Sequence, residues 1–534
     1  MKVVIIGGGT AGVSAATRLR RRDENAEIVI LEKNREFGVS SCALPYLLSG
    51  LIAEPEDIVG AGVEQMRQIF RIDVKLEHEV IDIDRKNKIL TIEGKTPVSY
   101  DKLVLATGAV QLRPDIEGVL GDNIFTMRDL RAVDKIKTYY EATGAKKVLI
   151  LGGGNVGLET AEAFARLGAK VCIVERAPHL MPYFDPEMMR RIENHLQKFE
   201  VRLYLGRQVQ GFCETYALLD NGAQVKYDLA IIATGVRPDV KLPIMADINL
   251  GRSGGILVND YMQTNDPDIF AAGADVEFTN AVTGLPERWP SAPRAVLQAN
   301  IAADFLSGLK TPFGKAAACE ITEVFGCTAA FAGANAEQLE KAGIPFRHVY
   351  LLQNNCDIYM PQSQQMLFKL LFAPDGKILG IQGIGPRGID TRVDIVANMI
   401  SRGGTVAELS RAAVAYAPPF AMPKDALHNL GNLALAVLRD EIRYYDVGSL
   451  NKNEDIFLVD TRAPESFDKR HLPGAVNFPL ASIRGNLASF PRDKKVVFYC
   501  NHGYGAYLAY CILRNRGFDN AYLLNTPYDL SFDL

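Results

Sequence analysis

The sequence predicts a multidomain protein of the α/β class, in which helices cover parallel sheets. The chain has 534 residues, and a domain usually takes about 100–200, so three or four domains are expected. Two apolar runs, at residues 3–6 and 148–151, each lead into a glycine cluster and then into a helical pattern. A third apolar run, at residues 456–459, begins another small unit. A buried strand followed by a tight turn and a helix is the repeating unit of a parallel sheet.

Composition and charge exclude several classes of protein. Hydrophobic residues make up 48% and charged residues 23% of the chain, as in ordinary globular proteins and unlike disordered or collagen-like ones. The net charge of −4 leaves no broad basic surface, so no nucleic-acid partner is expected. No apolar run reaches the length of about 18 residues that a membrane span needs, and the first residues do not resemble a signal peptide. The eight cysteines show no regular spacing and no CxxC pair, so we expect a cytoplasmic protein without a disulfide framework or a metal site.

The order of the elements predicts four domains. Each glycine-rich unit is followed by a second strand that ends in an acidic residue, so a nucleotide-binding fold occurs twice. The region after residue 312 lacks a glycine loop and reads as an α+β interface domain, with strands at 364–372 and 378–384 and helices at 392–401 and 425–438. The predicted domains are residues 1–112 with 246–312, residues 113–245, residues 313–440 and residues 441–534.

The first glycine cluster has the spacing of a dinucleotide-binding loop. Gly7, Gly9 and Gly12 follow a strand and open a helix. Glycines allow a tight turn and let a pyrophosphate approach the helix N-terminus, where the amides and the helix dipole favour an anion. Glu32, at the end of the next strand with Lys33 beside it, is placed to accept hydrogen bonds from a ribose.

The second glycine cluster repeats this pattern. Gly152, Gly154 and Gly157 again lie between a strand and a helix, and Glu175 ends the following strand. An acidic residue there bonds the 2′-hydroxyl of NADH and repels the 2′-phosphate of NADPH. Arg176, next to it, would soften this preference. Two such loops in one chain suggest a flavin and a nicotinamide that exchange hydride.

Three more strand ends make the pattern specific. LVLATG at 103–108, IIATG at 231–235 and IFAAGAD at 269–275 are apolar strands with characteristic ends. Together with the two loops they resemble the two-dinucleotide flavoprotein disulfide reductase superfamily, over roughly residues 1–440. The resemblance implies that the first loop holds FAD, that the second holds NADH or less readily NADPH, and that a Gly-Asp strand end contacts the flavin ribityl and phosphate groups. The further cofactor-binding residues that it implies are Thr107, Gly108, Gly235 and Asp275.

Cys42 is the predicted redox-active residue. It has no second cysteine five residues away, so it must cycle through a mixed disulfide, a persulfide or a sulfenic acid. A position at a helix start would favour its thiolate. The stretch CALPY resembles coenzyme A-disulfide reductases, whose subgroup also contains NADH oxidases, NADH peroxidases and persulfide reductases. Those reductases usually have Asn before the cysteine, where this chain has Ser41, which we expect at the substrate.

The same resemblance implies a homodimer with shared active sites. Two tyrosines of the partner subunit would face the cysteine, and Tyr359 and Tyr416 match their positions. A phenol within hydrogen-bond reach can protonate a leaving thiolate. The family commonly has a second tyrosine at each place, where this chain has Met360 and Phe420. The residues expected to contact coenzyme A phosphate are Lys424, Arg18, Arg21 and Arg22.

The C-terminal unit resembles a rhodanese domain. FLVDTR at 457–462, HLPGAVN at 471–477 and VVFYC at 496–500 carry this resemblance. In that fold backbone amides curl around a cysteine at a strand end, the position of Cys500, and stabilise its thiolate or persulfide. The usual loop arginine is replaced by Gly505, so a structural domain without sulfur-transfer activity remains an alternative.

Together these features predict an NADH-dependent flavoprotein reductase. Hydride would pass from NADH to FAD and then to the sulfur at Cys42, with Cys500 carrying or delivering sulfane sulfur. A rhodanese domain adds nothing to the cleavage of coenzyme A disulfide, so coenzyme A persulfide or polysulfide is the preferred substrate. Two other functions stay open: an NADH oxidase or peroxidase that cycles Cys42 through sulfenic acid, and a non-catalytic flavin redox sensor.

Overall fold

The computed structural model describes residues 1–60, 62–450, 455–526 and Tyr528. The chain divides into two compact units. Within the described residues, no helix combines the length and the apolar character needed to cross a membrane. The first unit contains Met1–Met181 and Leu196–Ala316, and the second contains Pro182–His195 and Ala317–Leu534.

Two parallel five-stranded sheets organise the first unit. Their strands are rich in Val, Ile and Leu that are buried on both faces, as expected of parallel sheets covered by helices. Each glycine loop follows the central strand of its sheet and therefore lies at the carboxyl edge, where open α/β sheets bind ligands. The first sheet has the order Ile269–Ala271, Lys102–Leu105, Lys2–Ile6, Glu27–Leu31, Asp73–Lys75, and the second Arg202–Leu205, Lys170–Glu175, Lys147–Leu151, Leu229–Ile232, Ile124–Thr126.

Short antiparallel strands and seven helices complete the first unit as described. The long helices Thr10–Arg22 and Ala292–Leu306 pack together, and both bury alanines at the contact. The three-stranded sheets are Val80–Asp84, Ile89–Ile92, Val98–Ser99 and Val209–Phe212, Tyr216–Leu219, Gln224–Lys226, and the pairs are Val236–Pro238 with Ala109–Gln111 and Phe278–Thr279 with Pro286–Glu287. The helices are Thr10–Arg22, Leu44–Leu48, Val63–Gln68, Leu130–Thr143, Asn155–Arg166, Lys241–Met245 and Ala292–Leu306.

The second unit contains an antiparallel sheet with no glycine loop, as the sequence predicts for this region. The strands predicted at 364–372 and 378–384 are confirmed as Gln365–Phe372 and Ile378–Gly385. The predicted helices are confirmed as Ile389–Ser401, which begins three residues earlier than expected, and Ala426–Leu438. The sheet order is Cys319–Val324, Cys327–Gly333, Ile378–Gly385, Gln365–Phe372, Arg347–Asn354.

Residues 182–195 lie inside the predicted domain 113–245 in sequence but pack in the second unit. The buried amine of Lys369 pairs with Asp185 at 2.7 Å and with Glu187 at 2.5 Å. Tyr350 also donates to Glu187, at 2.6 Å. A buried charge needs opposite charges and hydrogen bonds around it, so this cluster ties the segment to the antiparallel sheet.

The C-terminal part of the second unit is a parallel sheet whose central strand leads to Cys500. That strand, Lys495–Tyr499, is buried from Val496 onward. The sheet order is Tyr444–Tyr445, Ala521–Leu524, Lys495–Tyr499, Ile456–Asp460, Val476–Asn477. The helices of the second unit are Pro186–Gln197, whose last two residues group with the first unit, Ala336–Lys341, Ile389–Ser401, Val406–Leu409, Ala426–Leu438, Pro464–Lys469 and Tyr504–Arg514.

Candidate functional site

The first glycine loop is too tight for any other residue at two of its positions. Gly7 has a φ of 108°, and a Cβ there would lie 2.2 Å from the Ala106 carbonyl oxygen. A Cβ on Gly12 would lie 1.9 Å from the Gly7 carbonyl oxygen. These contacts hold the strand, the turn and the helix Thr10–Arg22 close together, which is the geometry that the spacing of the glycines predicts.

Gly9 faces open space at the beginning of this helix. A Cβ on Gly9 would meet no atom of the described chain within 4 Å. Gly9 is also the N-cap of Thr10–Arg22, and no side chain in the described part of the protein caps the helix. The amides of the first turn are therefore available to an anion, with the helix dipole in its favour.

Glu32 is bound to the loop itself. Its carboxylate is 8% exposed and accepts hydrogen bonds from the amides of Gly8 at 2.7 Å and Asn34 at 2.8 Å. The neighbouring Lys33 lies 3.2 Å from Asp239, a partner that its position in the sequence does not indicate. The contacts fix the acidic side chain beside the glycine turn.

The second glycine loop repeats this geometry. Gly152 has a φ of 112°, and Gly157 would place a Cβ 2.0 Å from the Gly152 carbonyl oxygen. Gly154 again faces open space and begins the helix Asn155–Arg166 without a side-chain cap among the described residues. Glu175 accepts from the Gly153 amide at 2.7 Å, just as Glu32 accepts from Gly8. Both loops are thus built in the same way to hold a dinucleotide.

Asp275 distinguishes the first loop from the second. It is fully buried, and its Oδ2 lies 2.7 Å from the Thr107 hydroxyl and 3.2 Å from the Gly108 amide. Its Oδ1 has no hydrogen-bond partner in the described part of the chain. Burial raises the pKa of this carboxyl to about 7, although the bond from Thr107 opposes the shift. A buried carboxylate oxygen without a protein donor fits the hydroxyl of a bound ligand, so the residues present suit the ribityl chain of FAD.

Gly108 and Gly235 occupy turns that favour glycine. Their φ angles are 68° and 97°, in the region that other residues seldom adopt. The strand pair Val236–Pro238 with Ala109–Gln111 follows these two turns directly. The two predicted cofactor-binding glycines therefore lie at the ends of two neighbouring segments of the first unit.

Cys42 is exposed at the beginning of a short helical stretch of the first unit. It lies in the 3-10 turn Ser41–Ala43, which leads into the helix Leu44–Leu48. This helix is only five residues long, so its dipole is much smaller than that of the helices behind the glycine loops. Tyr46 in the same helix lies 3.3 Å from Glu159 of Asn155–Arg166. The cysteine turn therefore rests on the helix that begins at the second glycine loop.

The three arginines of the first helix do not act alike. Arg18 forms a bidentate pair with Asp304 at 2.8 Å, and Arg22 reaches the same carboxylate at 3.2 Å. The hydrogen bond from Arg18 lowers the pKa of Asp304. Arg21 is exposed. Two of the arginines that we predicted to bind phosphate, Arg18 and Arg22, are therefore paired with Asp304, a partner that the sequence does not indicate.

Tyr359 and Tyr416 meet at a third residue that sequence reasoning missed, Asp357. Both hydroxyls bond to its Oδ2, at 3.0 Å and 2.7 Å respectively. The hydrogen bonds to this carboxylate raise the pKa of Tyr359 and raise that of Tyr416 to about 12. The only signal in the sequence was that Asp357 lies two residues before Tyr359.

Lys424 lies on the segment that follows Tyr416. Its side chain is exposed, and its carbonyl accepts from Gln353 at 2.8 Å. The next residue, Asp425, forms a buried ion pair with Arg392 at 2.6 Å. The exposed Lys424 side chain therefore extends from backbone that is fixed by the hydrogen bond from Gln353 and by the ion pair of Asp425.

Cys500 lies at the end of Lys495–Tyr499 and is 9% exposed. Its sulfur accepts a hydrogen bond from the Ala506 amide at 3.4 Å. A Cβ on Gly505 would lie 3.6 Å from this sulfur and 3.4 Å from the Thr461 hydroxyl. The loop therefore turns back on the sulfur, as a thiolate or persulfide cradle requires, and Gly505 borders it without a guanidinium.

Two contacts hold the Cys500 loop. Arg462, which forms a buried ion pair with Asp460 at 2.7 Å, donates to the Asn501 side chain at 3.1 Å. Gln365, at the start of a strand in the antiparallel sheet, lies 3.3 Å from the ring nitrogens of His502. Gln365 pairs with Asn354 at the base of the loop that carries Tyr359. The sulfur loop is thus attached to the base of the tyrosine loop within one unit.

The other cysteines give less evidence of a role. Burial raises the pKa of the Cys172 thiol to about 12, as expected of a small apolar residue in a strand. Cys356, next to Asp357, is fully buried. Among the described residues, no group of three or more His, Cys, Asp or Glu side chains has the arrangement of a metal site.

Three family models match the chain. Pyridine nucleotide-disulphide oxidoreductase matches residues 1–299, the dimerisation domain of the same family matches residues 321–426, and the rhodanese-like domain matches residues 446–529. The first of these covers more than half of the chain. The three matches follow the two parallel sheets, the antiparallel sheet and the C-terminal parallel sheet in order.

One similar protein is named an oxidase, and two similar solved structures are named CoADR-RHD and a persulfide reductase. An NADH oxidase of Methanocaldococcus jannaschii is 32% identical over 81% of this chain and 100% of its own length. The reduced CoADR-RHD of Bacillus anthracis has a TM-score of 0.96 at 30% identity, over 99% of this chain and 97% of its own. A NAD-dependent persulfide reductase of A. fulgidus has a TM-score of 0.94 at 30% identity, over 99% of this chain and 100% of its own.

Proposed function

The chain belongs to the pyridine nucleotide-disulphide oxidoreductase family, whose members use FAD and a pyridine nucleotide, and we propose that it reduces coenzyme A persulfide or polysulfide at Cys42. Coenzyme A disulfide is the second substrate class that we expect. The two glycine loops, with the acids that each of them binds, support FAD at the first loop and NADH at the second. The cytoplasmic location remains a prediction.

One observation carries the choice of substrate: an exposed cysteine in the unit of the two dinucleotide loops and a rhodanese cysteine occur on one chain. Cys42 is exposed in the unit that contains both dinucleotide loops, and Cys500 lies in a backbone cradle suited to a sulfur anion. Of the solved structures that span nearly all of this chain, one is named a NAD-dependent persulfide reductase and another is named CoADR-RHD. A sulfur-carrying loop is useful only when the substrate contains sulfane sulfur, which favours persulfide over plain disulfide.

The proposed reaction balances with NADH as the reductant. The Cys42 thiolate attacks the sulfane sulfur of coenzyme A persulfide, the S–S bond breaks, and coenzyme A leaves as a thiolate while Cys42 carries a persulfide. FAD, when bound, supplies the two electrons of NADH to this sulfur centre. Release of hydrogen sulfide regenerates the Cys42 thiolate, so coenzyme A persulfide, NADH and a proton give coenzyme A, hydrogen sulfide and NAD⁺.

The chain's own residues would hold the flavin and the nicotinamide. Asp275 offers a buried carboxylate oxygen to a ribityl hydroxyl, and Gly9 and Gly154 leave the first helical amides open to a pyrophosphate. Glu175 is held against the second loop and would face the 2′-phosphate of NADPH. We expect kcat/KM for NADH to exceed that for NADPH by roughly 5–150-fold, as a conflict of about 1–3 kcal/mol implies. Equal values for the two nucleotides would contradict this assignment.

The exposed tyrosines support a homodimer with shared active sites. Tyr359 and Tyr416 are 70% and 49% exposed, and the neighbouring Ile358 and Phe420 are 74% and 77% exposed. So much apolar surface in one place favours cover by another chain, and this region matches the family's dimerisation domain. We propose that the partner subunit covers it and that the tyrosines reach the partner's Cys42 site.

Mixed dimers test the sharing of sites. A Cys42→Ser chain combined with a Tyr416→Phe chain has one site with both groups intact if the sites are shared. We expect such heterodimers, separated by two affinity tags, to be more active than either parent variant. Activity no higher than that of the parents, in a preparation shown to contain heterodimers, would contradict shared sites.

An NADH oxidase is the second candidate function, because the Methanocaldococcus jannaschii relative bears that name. The experiment that decides is NADH turnover by the purified FAD-loaded protein, with oxygen alone and then anaerobically with coenzyme A persulfide. We expect anaerobic turnover with stoichiometric hydrogen sulfide and little oxidation of NADH by oxygen. Turnover that requires oxygen and ignores the persulfide would establish the oxidase instead.

A further inference from the structure

Gln298 is a buried amide on the helix Ala292–Leu306 of the first unit. The residue is 1% exposed, although glutamines usually lie at the protein surface. Its side-chain oxygen accepts a hydrogen bond from the Gly273 amide at 3.0 Å. A flipped side chain would place its NH₂ group against that amide N–H, so the hydrogen bond determines which end of the side chain faces Gly273.

The side-chain nitrogen of Gln298 has no hydrogen-bond partner among the residues that the structure describes. A buried donor without a partner lowers the free energy of unfolding, and an apolar side chain of similar shape avoids this penalty. The residues on the same face of the helix show what packing alone requires, because Ala295, Ala299 and Ala302 are buried and apolar. Packing and stability therefore do not explain why this position is a glutamine.

Gly273 begins the turn that carries Asp275. The Gly273 carbonyl accepts from the Val276 amide at 3.2 Å, which closes the turn. Backbone hydrogen bonds hold the chain on both sides: the Ala272 amide donates to the neighbouring strand at 2.9 Å, and the Asp275 carbonyl accepts from the Ile256 amide at 2.7 Å. The Gly273 amide lies between these two anchors and is held by the Gln298 side chain.

The same turn borders two features that suit FAD. A Cβ on Gly273 would lie 3.3 Å from the Ala11 side chain, in the first turn of the helix whose open amides suit a pyrophosphate. That Cβ would also lie 3.3 Å from Asp275 Oδ1, the buried oxygen without a donor among the described residues, which fits a ribityl hydroxyl. Gly273 therefore lies between the two groups that we expect to contact the dinucleotide.

The helix that carries Gln298 packs along the helix Thr10–Arg22. Through Gly273, Gln298 thus ties the turn of Asp275 to the helix whose N-terminus would bind the pyrophosphate. A binding group is held precisely only when the residues behind it are themselves fixed by hydrogen bonds and packing. The distance between Asp275 and the first glycine loop therefore depends on this one side chain.

We propose that Gln298 is a positioning residue for FAD, which holds the Gly273 amide and so keeps the Asp275 carboxylate in place relative to the first glycine loop. Gln298 does not touch the cofactor in this scheme. The unpaired side-chain nitrogen is a loss of stability that accompanies a correctly placed oxygen. This role requires FAD at the first loop, which is part of the proposed function, but it does not depend on the identity of the sulfur substrate.

Release of FAD from the holoenzyme tests this role. Gln298→Met keeps nearly the same shape but lacks the acceptor oxygen, so FAD should leave about five- to tenfold faster, as the loss of one hydrogen bond implies. The rise in flavin fluorescence after dilution measures the rate. Asn300→Leu, which removes a half-buried amide two residues further along the same helix, is the matched control and should leave the rate unchanged. Release from Gln298→Met at the wild-type rate, or equal acceleration in both variants, overturns the proposal.

Hydrogen exchange separates positioning from a general loosening of the fold. In Gln298→Met, amide exchange measured by mass spectrometry should be faster in the peptide that contains Gly273. Exchange should be unchanged in the peptide that contains Gly152, because the second glycine loop belongs to the other parallel sheet. Unchanged exchange at Gly273, or faster exchange in both peptides, overturns the proposal.

The outcomes for the proposed function and for Gln298 are distinguishable. If the wild-type protein binds FAD but reduces no sulfur compound, the choice of substrate is wrong, and the rate of FAD release still decides the role of Gln298. If the wild-type protein binds no FAD, both proposals are overturned.

Discussion

Cys42 and Cys500 are both thiols in short loops, but their surroundings are opposite. Cys42 is exposed on a short helical stretch of the unit that contains the two dinucleotide loops. Cys500 is 9% exposed at the end of a buried parallel strand, and its sulfur accepts from the Ala506 amide. The first thiol is open to large partners, and the second is enclosed by its own backbone.

This difference in exposure suggests different roles for the two cysteines: one reduces the substrate, and the other carries sulfur. An exposed thiol can meet a substrate as large as coenzyme A and a flavin in turn, whereas an enclosed one is suited to holding a small sulfur anion. The loop of Cys500 is also tied to the base of the tyrosine loop through His502 and Gln365. In the proposed function, therefore, Cys42 is the site of reduction and Cys500 is a carrier.

Loss of Cys42 is the strongest test of this division. Cys42→Ser should lower the reduction of every sulfur substrate by about a thousandfold or more, because no other thiol can form the required bond. Binding of FAD and its reduction by NADH should persist, since the glycine loops are untouched. Anaerobic spectra of the flavin and assays of hydrogen sulfide measure the two effects. Cys213→Ser, which removes another exposed thiol of the first unit, is the control. Undiminished reduction of sulfur substrates by the Cys42→Ser variant would contradict the assignment of reduction to Cys42.

Exposure alone predicts a difference in alkylation. Iodoacetamide should modify Cys42 at least about tenfold faster than Cys500 at neutral pH, because only the exposed thiolate is open to the reagent. Mass spectrometry of peptides from the native protein gives both rates. If Cys500 reacts as fast as Cys42, the cradle opens in solution and the two sites are not opposites.

Loss of Cys500 should lower the turnover of some sulfur substrates and not of others. We expect Cys500→Ser to slow the turnover of polysulfide about tenfold and to leave that of coenzyme A persulfide unchanged, because coenzyme A persulfide reaches the exposed Cys42 directly and polysulfide sulfur is relayed through Cys500. The ratio of the two kcat/KM values measures the effect. A variant that has lost both activities would place Cys500 in the main catalytic cycle.

The smallest expected effect comes from restoring a cation to the Cys500 loop. Gly505 has room for a side chain, since its Cβ would lie 3.6 Å from the sulfur and 3.4 Å from Thr461. Gly505→Arg should raise the rate of sulfur transfer from thiosulfate by about two- to fivefold, because the added guanidinium would form a partly exposed ion pair with the sulfur anion. Gly485→Ala, at an open position of the same domain, is the control. No gain, with the fold intact, would show that the loop lacks more than the guanidinium.

The dinucleotide loops were largely predictable, because their residues interact over short distances in the sequence. Gly7 and Gly12 lie five residues apart, and the clash that excludes a side chain at Gly12 is with the Gly7 carbonyl, inside the turn itself. The acid that ends the next strand is also local, since parallel pairing brings that strand beside the first. Local spacing therefore determined both the positions and the chemistry of these loops.

The ion pairs and the tyrosine cluster were not predictable in this way. Arg18 meets Asp304, which lies 286 residues away, and Tyr416 meets Asp357, 59 residues away. No periodicity in the sequence shows which carboxylate a distant side chain will meet. The phosphate-binding role predicted for Arg18 therefore remains a prediction for a residue already paired in the structure.

The sequence by itself determined the succession of strands, the two glycine loops, the single cysteine at position 42 and the cysteine at position 500. Turns and the alternation of buried and exposed residues depend on residues close together in the chain, so the sequence alone is enough to predict them. Only the tertiary structure decided that Asp185 and Glu187 join Lys369 in the second unit and that Asp357 lies under both tyrosines. The physical reason is that a buried charge is tolerated only where an opposite charge or a donor meets it, and the packing of the whole chain determines where that happens.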